Sequence, residues 1–167
     1  PVNGDLRKAS NILTEFEGLK STQRQNLIAA YITRLFLKGG FEIVQQPGGS
    51  KPQMLVKDLP DTAAQDDDND TKLESELHSF IKEAAGDDRI LQKNELRRWS
   101  KYNGRTLYAW SNRIENGATV WTMKPEEVRQ VFGLRKFLKD FTLIKDRGVV
   151  EVKLWNDYLV FASLYGI

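Results

Sequence analysis

The chain has 167 residues, no cysteine, a formal charge of +2 and an isoelectric point near 8.8. A chain this long buries roughly 70% of the surface its unfolded form exposes and needs no covalent staples. The lack of cysteine excludes disulfides, a thiol nucleophile and thiolate metal sites, and the small charge excess leaves any electrostatic argument to local clustering.

From the N-terminus, "STQRQNLIAAYITRLFLKGG" places Leu27, Tyr31 and Leu35 on one helical stripe with Ile28, Ile32 and Phe36 beside it. Thr22 and Gln25 have capping-box spacing, and Gly39 with Gly40 can stop the helix. "FEIVQQPGGSKPQMLVKDLP" then reads as a hairpin, two β-prone runs around a Pro-Gly-Gly turn. Helix followed by hairpin is half a winged helix. "DLPDTAAQDDDND" has no large apolar residue after Leu59 and reads as a solvated acidic linker, which places a domain boundary at 61–70.

Beyond it, Thr71 and Glu74 form a second capping-box pair ahead of an apolar face of Leu73, Leu77, Phe80, Ile81 and Ala84 ending near Gly86. "RIL" is a short strand. "QKNELRRWSKYNG" and "GRTLYAWSNRIENG" are two short helices split at Asn103-Gly104, and "ATVWTM" is β-prone. That order is the order of a winged helix-turn-helix with a reduced wing. Pro125, Glu126 and Glu127 start another helix, carrying Val128, Val131, Phe132, Leu138 and Phe141 at helical spacing. After "KDRG", a last helix is expected to bury Trp155, Tyr158, Leu159, Ala162 and Tyr165 on one face. The predicted fold is helix-rich α+β: a winged-helix-like unit over 1–60, the linker, and a second such unit over 71–167 with an added, packed C-terminal helical pair. A start without Met and a stop on an apolar run at Ile167 lead us to expect a piece of a longer protein.

Little in the chain reads as catalytic or metal-binding. His78 is the single histidine, beside Leu77 on a helix with no cysteine and no G-x-S-x-G elbow, and is expected at the surface or its boundary. "PGGSKP" lacks phosphate-loop spacing and sits in a hairpin turn. An EF-hand loop begun at Asp66 would need Gly where Thr71 stands and Glu where Leu77 stands, so the acids Asp66, Asp67, Asp68 and Asp70 read as linker and helix start. Neither a cofactor nor a catalytic residue is predicted.

The feature with chemical content is basic. Between residues 89 and 116 stand Arg89, Lys93, Arg97, Arg98, Lys101, Arg105 and Arg113 against Glu95 and Glu115, with Trp99, Tyr102, Tyr108 and Trp110 interleaved. In a winged helix, "GRTLYAWSNRIEN" would be the recognition helix, presenting Arg105, Ser111, Asn112 and Arg113 to phosphates or base edges. At least half of the aromatics are needed for the core of so small a unit, and Arg or Lys stems commonly cover such cores. The same charges also suit the neighbourhood of an anionic bilayer, at about 1 kcal/mol per cation.

The C-terminal "GLRKFLKDFTLIKDRGVVEVKLWNDYLVFASLYGI" carries Gly133, Leu134, Arg135, Asp140, Phe141, Trp155, Tyr158, Leu159, Phe161, Ala162 and Gly166 in a recurring pattern. With "NLIAAYITRLFLKGGFEI" near the other end, it resembles the cytoplasmic region of a family of uncharacterised bacterial membrane proteins catalogued as domain of unknown function 2207. Phe161 stands where that family more often has Tyr. The resemblance implies a secretory signal, an extracytoplasmic β-rich domain and transmembrane helices in the parent protein, with this region on the cytoplasmic face of the bacterial inner membrane. It implies no enzyme and supplies no site residues.

The expected role is therefore a non-enzymatic protein-interaction or regulatory module. It would bind an unknown cytoplasmic protein or itself, joined to the membrane through flanking segments, with Trp110 and Trp121 as aromatic contacts. The alternative is nucleic-acid binding through Arg97, Arg98, Lys101, Arg105 and Arg113.

Overall fold

The computed structural model describes residues 1–18, 20–45, 48, 51–60, 69–116, 123–142 and 152–167. Its helices are α1 (Leu6–Glu17), α2 (Lys20–Leu37), α3 (Asn69–Ala85), α4 (Lys93–Tyr102), α5 (Gly104–Asn116), α6 (Pro125–Thr142) and α7 (Val152–Tyr165), and its strands are β1 (Phe41–Val44), β2 (Gln53–Val56) and β3 (Ile90–Leu91). The fold is thus helix-rich α+β, as expected. Two compact units divide it differently from the expected 1–60 and 71–167: one holds residues 1–34 with 114–167, the other 35–113.

In the first unit, α1 begins where the Asp5 carboxylate accepts the Lys8 N–H at 2.8 Å and ends at Gly18, whose φ of 69° is left-handed. Its buried stripe, Leu6, Ala9, Ile12 and Leu13, packs against α6 and α7. Pro125 opens α6 as the sequence predicts. The α6–α7 pair is closed by Tyr165, whose hydroxyl donates to the Val131 carbonyl at 2.9 Å; burial pushes its pKa up and keeps it a neutral donor. Gln23 of α2 donates to the Leu164 carbonyl at 3.1 Å. The inward side of α7 is Val160, Phe161, Leu164 and Tyr165, while Leu159, expected inside, is 49% exposed. Only Tyr165 of the expected face is fully buried, because helix α7 is apolar nearly all round and its sequence leaves the inward side undecided.

In the second unit, the hairpin β1–β2 runs in the register Phe41↔Val56 to Val44↔Gln53. β3 pairs antiparallel with β2 at Met54↔Leu91 and Leu55↔Ile90. The strand before the acidic stretch and the strand after it therefore share one sheet, and 61–70 does not separate two units. Most of that stretch lies outside the described residues. Asp70 is in the first turn of α3 and is buried.

Helix α3 supplies the core of this unit through Leu73, Leu77, Ile81 and Ala85 and packs on β2, β3 and α4. Neither expected capping residue begins its helix: Thr22 lies inside α2 and Thr71 inside α3. Glu74 is buried instead and accepts a hydrogen bond from Lys38 Nζ at 2.8 Å, which supplies the partner a buried carboxylate requires.

His78 also departs from expectation. Its ring is buried against Phe41, and its Nε2 lies 2.9 Å from the Lys57 carbonyl, so that nitrogen carries a proton and donates. Gly40 is enclosed at the same place. A Cβ there would stand 2.9 Å from Leu59 Cδ2 and 3.1 Å from His78 Cδ2.

Gly40→Ala is expected to lower unfolding free energy by about 1–3 kcal/mol in urea titration, since the pinned imidazole cannot retreat. Asp58 accepts from Lys82 at 2.6 Å and Arg89 at 2.9 Å, and these bonds, Lys82 first, hold its carboxyl below the ordinary 3.8. A depressed carboxylate stabilises above its unfolded pKa and loses that contribution as pH falls. Stability of the protein should therefore drop more steeply below about pH 4 than stability of Asp58→Asn, measured by urea midpoints at stepped pH.

Candidate functional site: the outward faces of two short helices

The basic segment folds into α4 and α5 because each helix has one strong inward anchor. The backbone N–H of Gln92 donates to the Glu95 carboxylate at 2.8 Å, which sets the first turn of α4. Trp99 then stacks on Phe80 of α3 with ring centroids 5.1 Å apart. Asn103 ends the helix by donating from Nδ2 and from its backbone N–H to the Trp99 carbonyl, and Gly104 starts α5 at once.

Trp110 anchors α5. It is 1% exposed, its N–H donates to the Leu73 carbonyl at 3.0 Å, and its ring meets Phe80 edge-on. It belongs to the core, which corrects its assignment as an aromatic contact: an indole with both an apolar ring and a donor to satisfy finds both partners on α3. Trp121 lies outside the described residues.

With Trp99 inward, helical geometry turns Lys93, Asn94, Arg97, Arg98 and Lys101 outward, and all five are exposed. With Trp110 inward, Arg105, Tyr108 and Ala109 are exposed and Asn112 is half-buried, a stripe at i, i+3, i+4 and i+7. Arg97, Arg98, Lys101 and Arg105 form no ion pair among the described residues. Arg113 differs. Its guanidinium grips the Glu76 carboxylate through two nitrogens, and this bond raises its pKa. Its charge is spent within the unit, so of the five predicted basic residues four face solvent unpaired and one is an internal tie.

Sequence reading missed that Tyr102 and Tyr108, at 80% and 70% exposure, are the aromatics left outside. Helical phase carried the signal for Tyr108, which stands opposite the buried Trp110. It carried none for Tyr102, which follows Trp99 by three residues on the same side and is exposed because α4 ends there, whereas expectation had assigned outward contact to the tryptophans.

Beside this surface, a depression of about 250 Å³ lies between the end of α3 and α4, lined by Glu83, Glu95, Arg98, Trp99 and Tyr102 among others. Among the described residues no group of three or more His, Asp or Glu side chains is placed to hold a metal. The Nε2 proton of His78 is occupied by a main-chain carbonyl. What the α4–α5 surface offers chemically is fixed positive charge and exposed phenol rings, groups complementary to an acidic one.

No family model, curated protein or solved structure matches the chain.

Trp110→Phe should cost about 1–3 kcal/mol of stability, because it removes the buried indole's hydrogen bond to the Leu73 carbonyl and shrinks a filled site. Arg113→Ala should cost less than about 1 kcal/mol, as expected for an exposed ion pair. Chemical denaturation of both variants checks the order; a larger loss for Arg113→Ala would place the anchor of α5 elsewhere.

Proposed function

We propose that the chain is a non-enzymatic interaction module from the cytoplasmic part of a bacterial membrane protein, and that the outward faces of α4 and α5 dock an acidic macromolecule. The observation that carries the docking role is Arg97, Arg98, Lys101 and Arg105, exposed and without ion pairs among the described residues, beside exposed Tyr102 and Tyr108. Unpaired cations cost little in water and gain when phosphates or carboxylates displace their counterions, so their clustering on one pair of helices favours an anionic partner. The membrane setting rests on the family resemblance. No helix among the described residues is long and apolar enough to cross a membrane.

The arrangement of the second unit supports a winged-helix reading in permuted order. The succession α3, β3, α4, α5 is that of the helical part of such a fold, and the hairpin β1–β2 supplies the remaining strands through β2, paired with β3. In this reading the hairpin precedes the three helices instead of following them, and α5 takes the place of the recognition helix.

The test uses heparin as a general polyanion. The unaltered protein should be retained on a heparin column and released by salt, and the combined Arg97→Glu, Lys101→Glu, Arg105→Glu variant should pass through with an unchanged circular dichroism spectrum. Passage of the unaltered protein at low salt would remove the docking role altogether.

A further inference from the structure

The composition of the outward stripe on α5 narrows the acidic partner. We infer that α5 is a reading helix for duplex DNA, entering the major groove with Arg105, Tyr108, Ala109 and Asn112 toward the base edges while Arg97, Arg98 and Lys101 of α4 meet flanking phosphates. The inference rests on the docking role given above to α4 and α5 and specifies its ligand.

Four observations carry it. Helix α5 has 13 residues, about 20 Å of rod, and the major groove of B-form DNA is about 12 Å wide and admits a single helix. Arg105, Tyr108, Ala109 and Asn112 recur at i, i+3, i+4 and i+7, so they point to one side of that rod. Their chemistry covers the major-groove edges: a guanidinium forks onto guanine O6 and N7, a carboxamide pairs with adenine N6 and N7, and a methyl group meets the thymine methyl. Gly104 and Arg105 stand in the first turn of α5, where the partial positive charge of the helix end adds to the attraction for phosphate.

The charge on α4 has a different character. Lys93, Arg97, Arg98 and Lys101 are exposed with no exposed acid interspersed, and the other exposed residues between Lys93 and Lys101 are Asn94 and Leu96, which suits a sequence-independent backbone contact. A bilayer surface would be met differently. Lipid-bound helices carry a broad apolar face, and the outward stripe of α5 instead carries an arginine, an amide and a methyl with one phenol. The depression beside α4 adds nothing to this assignment, since its lining mixes Glu83 and Glu95 with Arg98.

The experiment is a fluorescence-anisotropy titration of the full chain against a labelled duplex of 20 base pairs, repeated with the single strand, with vesicles containing anionic phosphatidylglycerol, and with heparin. Enrichment from a randomised duplex pool then follows. Expected are duplex binding with a slope of about −3 to −4 in log affinity against log salt, from three or four neutralised phosphates, and enrichment of a short common sequence. Arg105→Ala should weaken binding to the enriched duplex by about tenfold or more. Asn112→Ala should relax the preference at one adenine position of the enriched sequence and leave the remaining positions and the salt slope unchanged, a result that a merely structural role for Asn112 would not give. Heparin binding without duplex binding would overturn the DNA assignment and keep the docking surface. Preference for the single strand or for vesicles, or duplex binding with no enriched sequence, would also overturn the groove-reading assignment. Failure on heparin as well would remove the surface itself.

Discussion

Burial of the Trp110 indole on α3 is the constraint from which the character of the second unit follows. A tryptophan ring removes a large apolar area from water, yet its N–H must find an acceptor once buried, and the Leu73 carbonyl provides one within the core. Phe80 meets Trp110 edge-on and stacks on Trp99, so one aromatic residue of α3 holds both short helices. With two rotations fixed, every other residue of α4 and α5 has its direction assigned. The cations face water for a geometric reason: Lys93, Arg97, Lys101 and Arg105 lie away from the two indoles, and Arg98 lies to the side of Trp99.

Such an arrangement separates stability from binding. The core of the second unit is made from Leu73, Leu77, Ile81, Ala85, Trp99 and Trp110, together with Leu35, Phe41 and Val56. The outward residues contribute little to it, and so are free to be selected for charge. Arg113 shows the boundary between the two roles. It belongs by sequence to the basic run, but Glu76 on α3 lies within reach of both its guanidinium nitrogens, and a bidentate pair fixes the end of the segment instead of advertising its charge.

Much of this was legible in the sequence. The hairpin, the two-residue strand at Ile90–Leu91, the split between α4 and α5 at Asn103 and the start of α6 at Pro125 all follow from local signals: turn residues, β-branched runs, a proline at the first helical position. The non-local facts were not legible. An acidic stretch looks like a boundary when judged by composition, and nothing local says that β2 on one side will pair with β3 on the other. His78 and Glu74 were hidden for the same reason, as each is buried against a partner far away in the chain, Lys57 just after β2 and Lys38 just after α2 respectively. Periodicity failed at α7, where apolar residues on most sides leave more than one face able to turn inward.

The candidate site shows which kind of sequence signal tells an outward residue from a core one. A count of arginines weights Arg113 equally with Arg105, although Arg113 is tied to Glu76, and a count of aromatics favours Trp110 over the exposed Tyr108. Helical phase resolves both errors, because a side chain can recognise a partner only from a position that the core has not claimed. Once Trp99 and Trp110 are set inward, the exposed residues of α4 form a mainly cationic face and the outward stripe of α5 a mixed one of arginine, tyrosine, alanine and asparagine. The first kind of surface attracts any polyanion. The second adds an amide and a methyl group, which contribute nothing to an electrostatic field, so whatever it would recognise differs in kind from what the cationic face would attract.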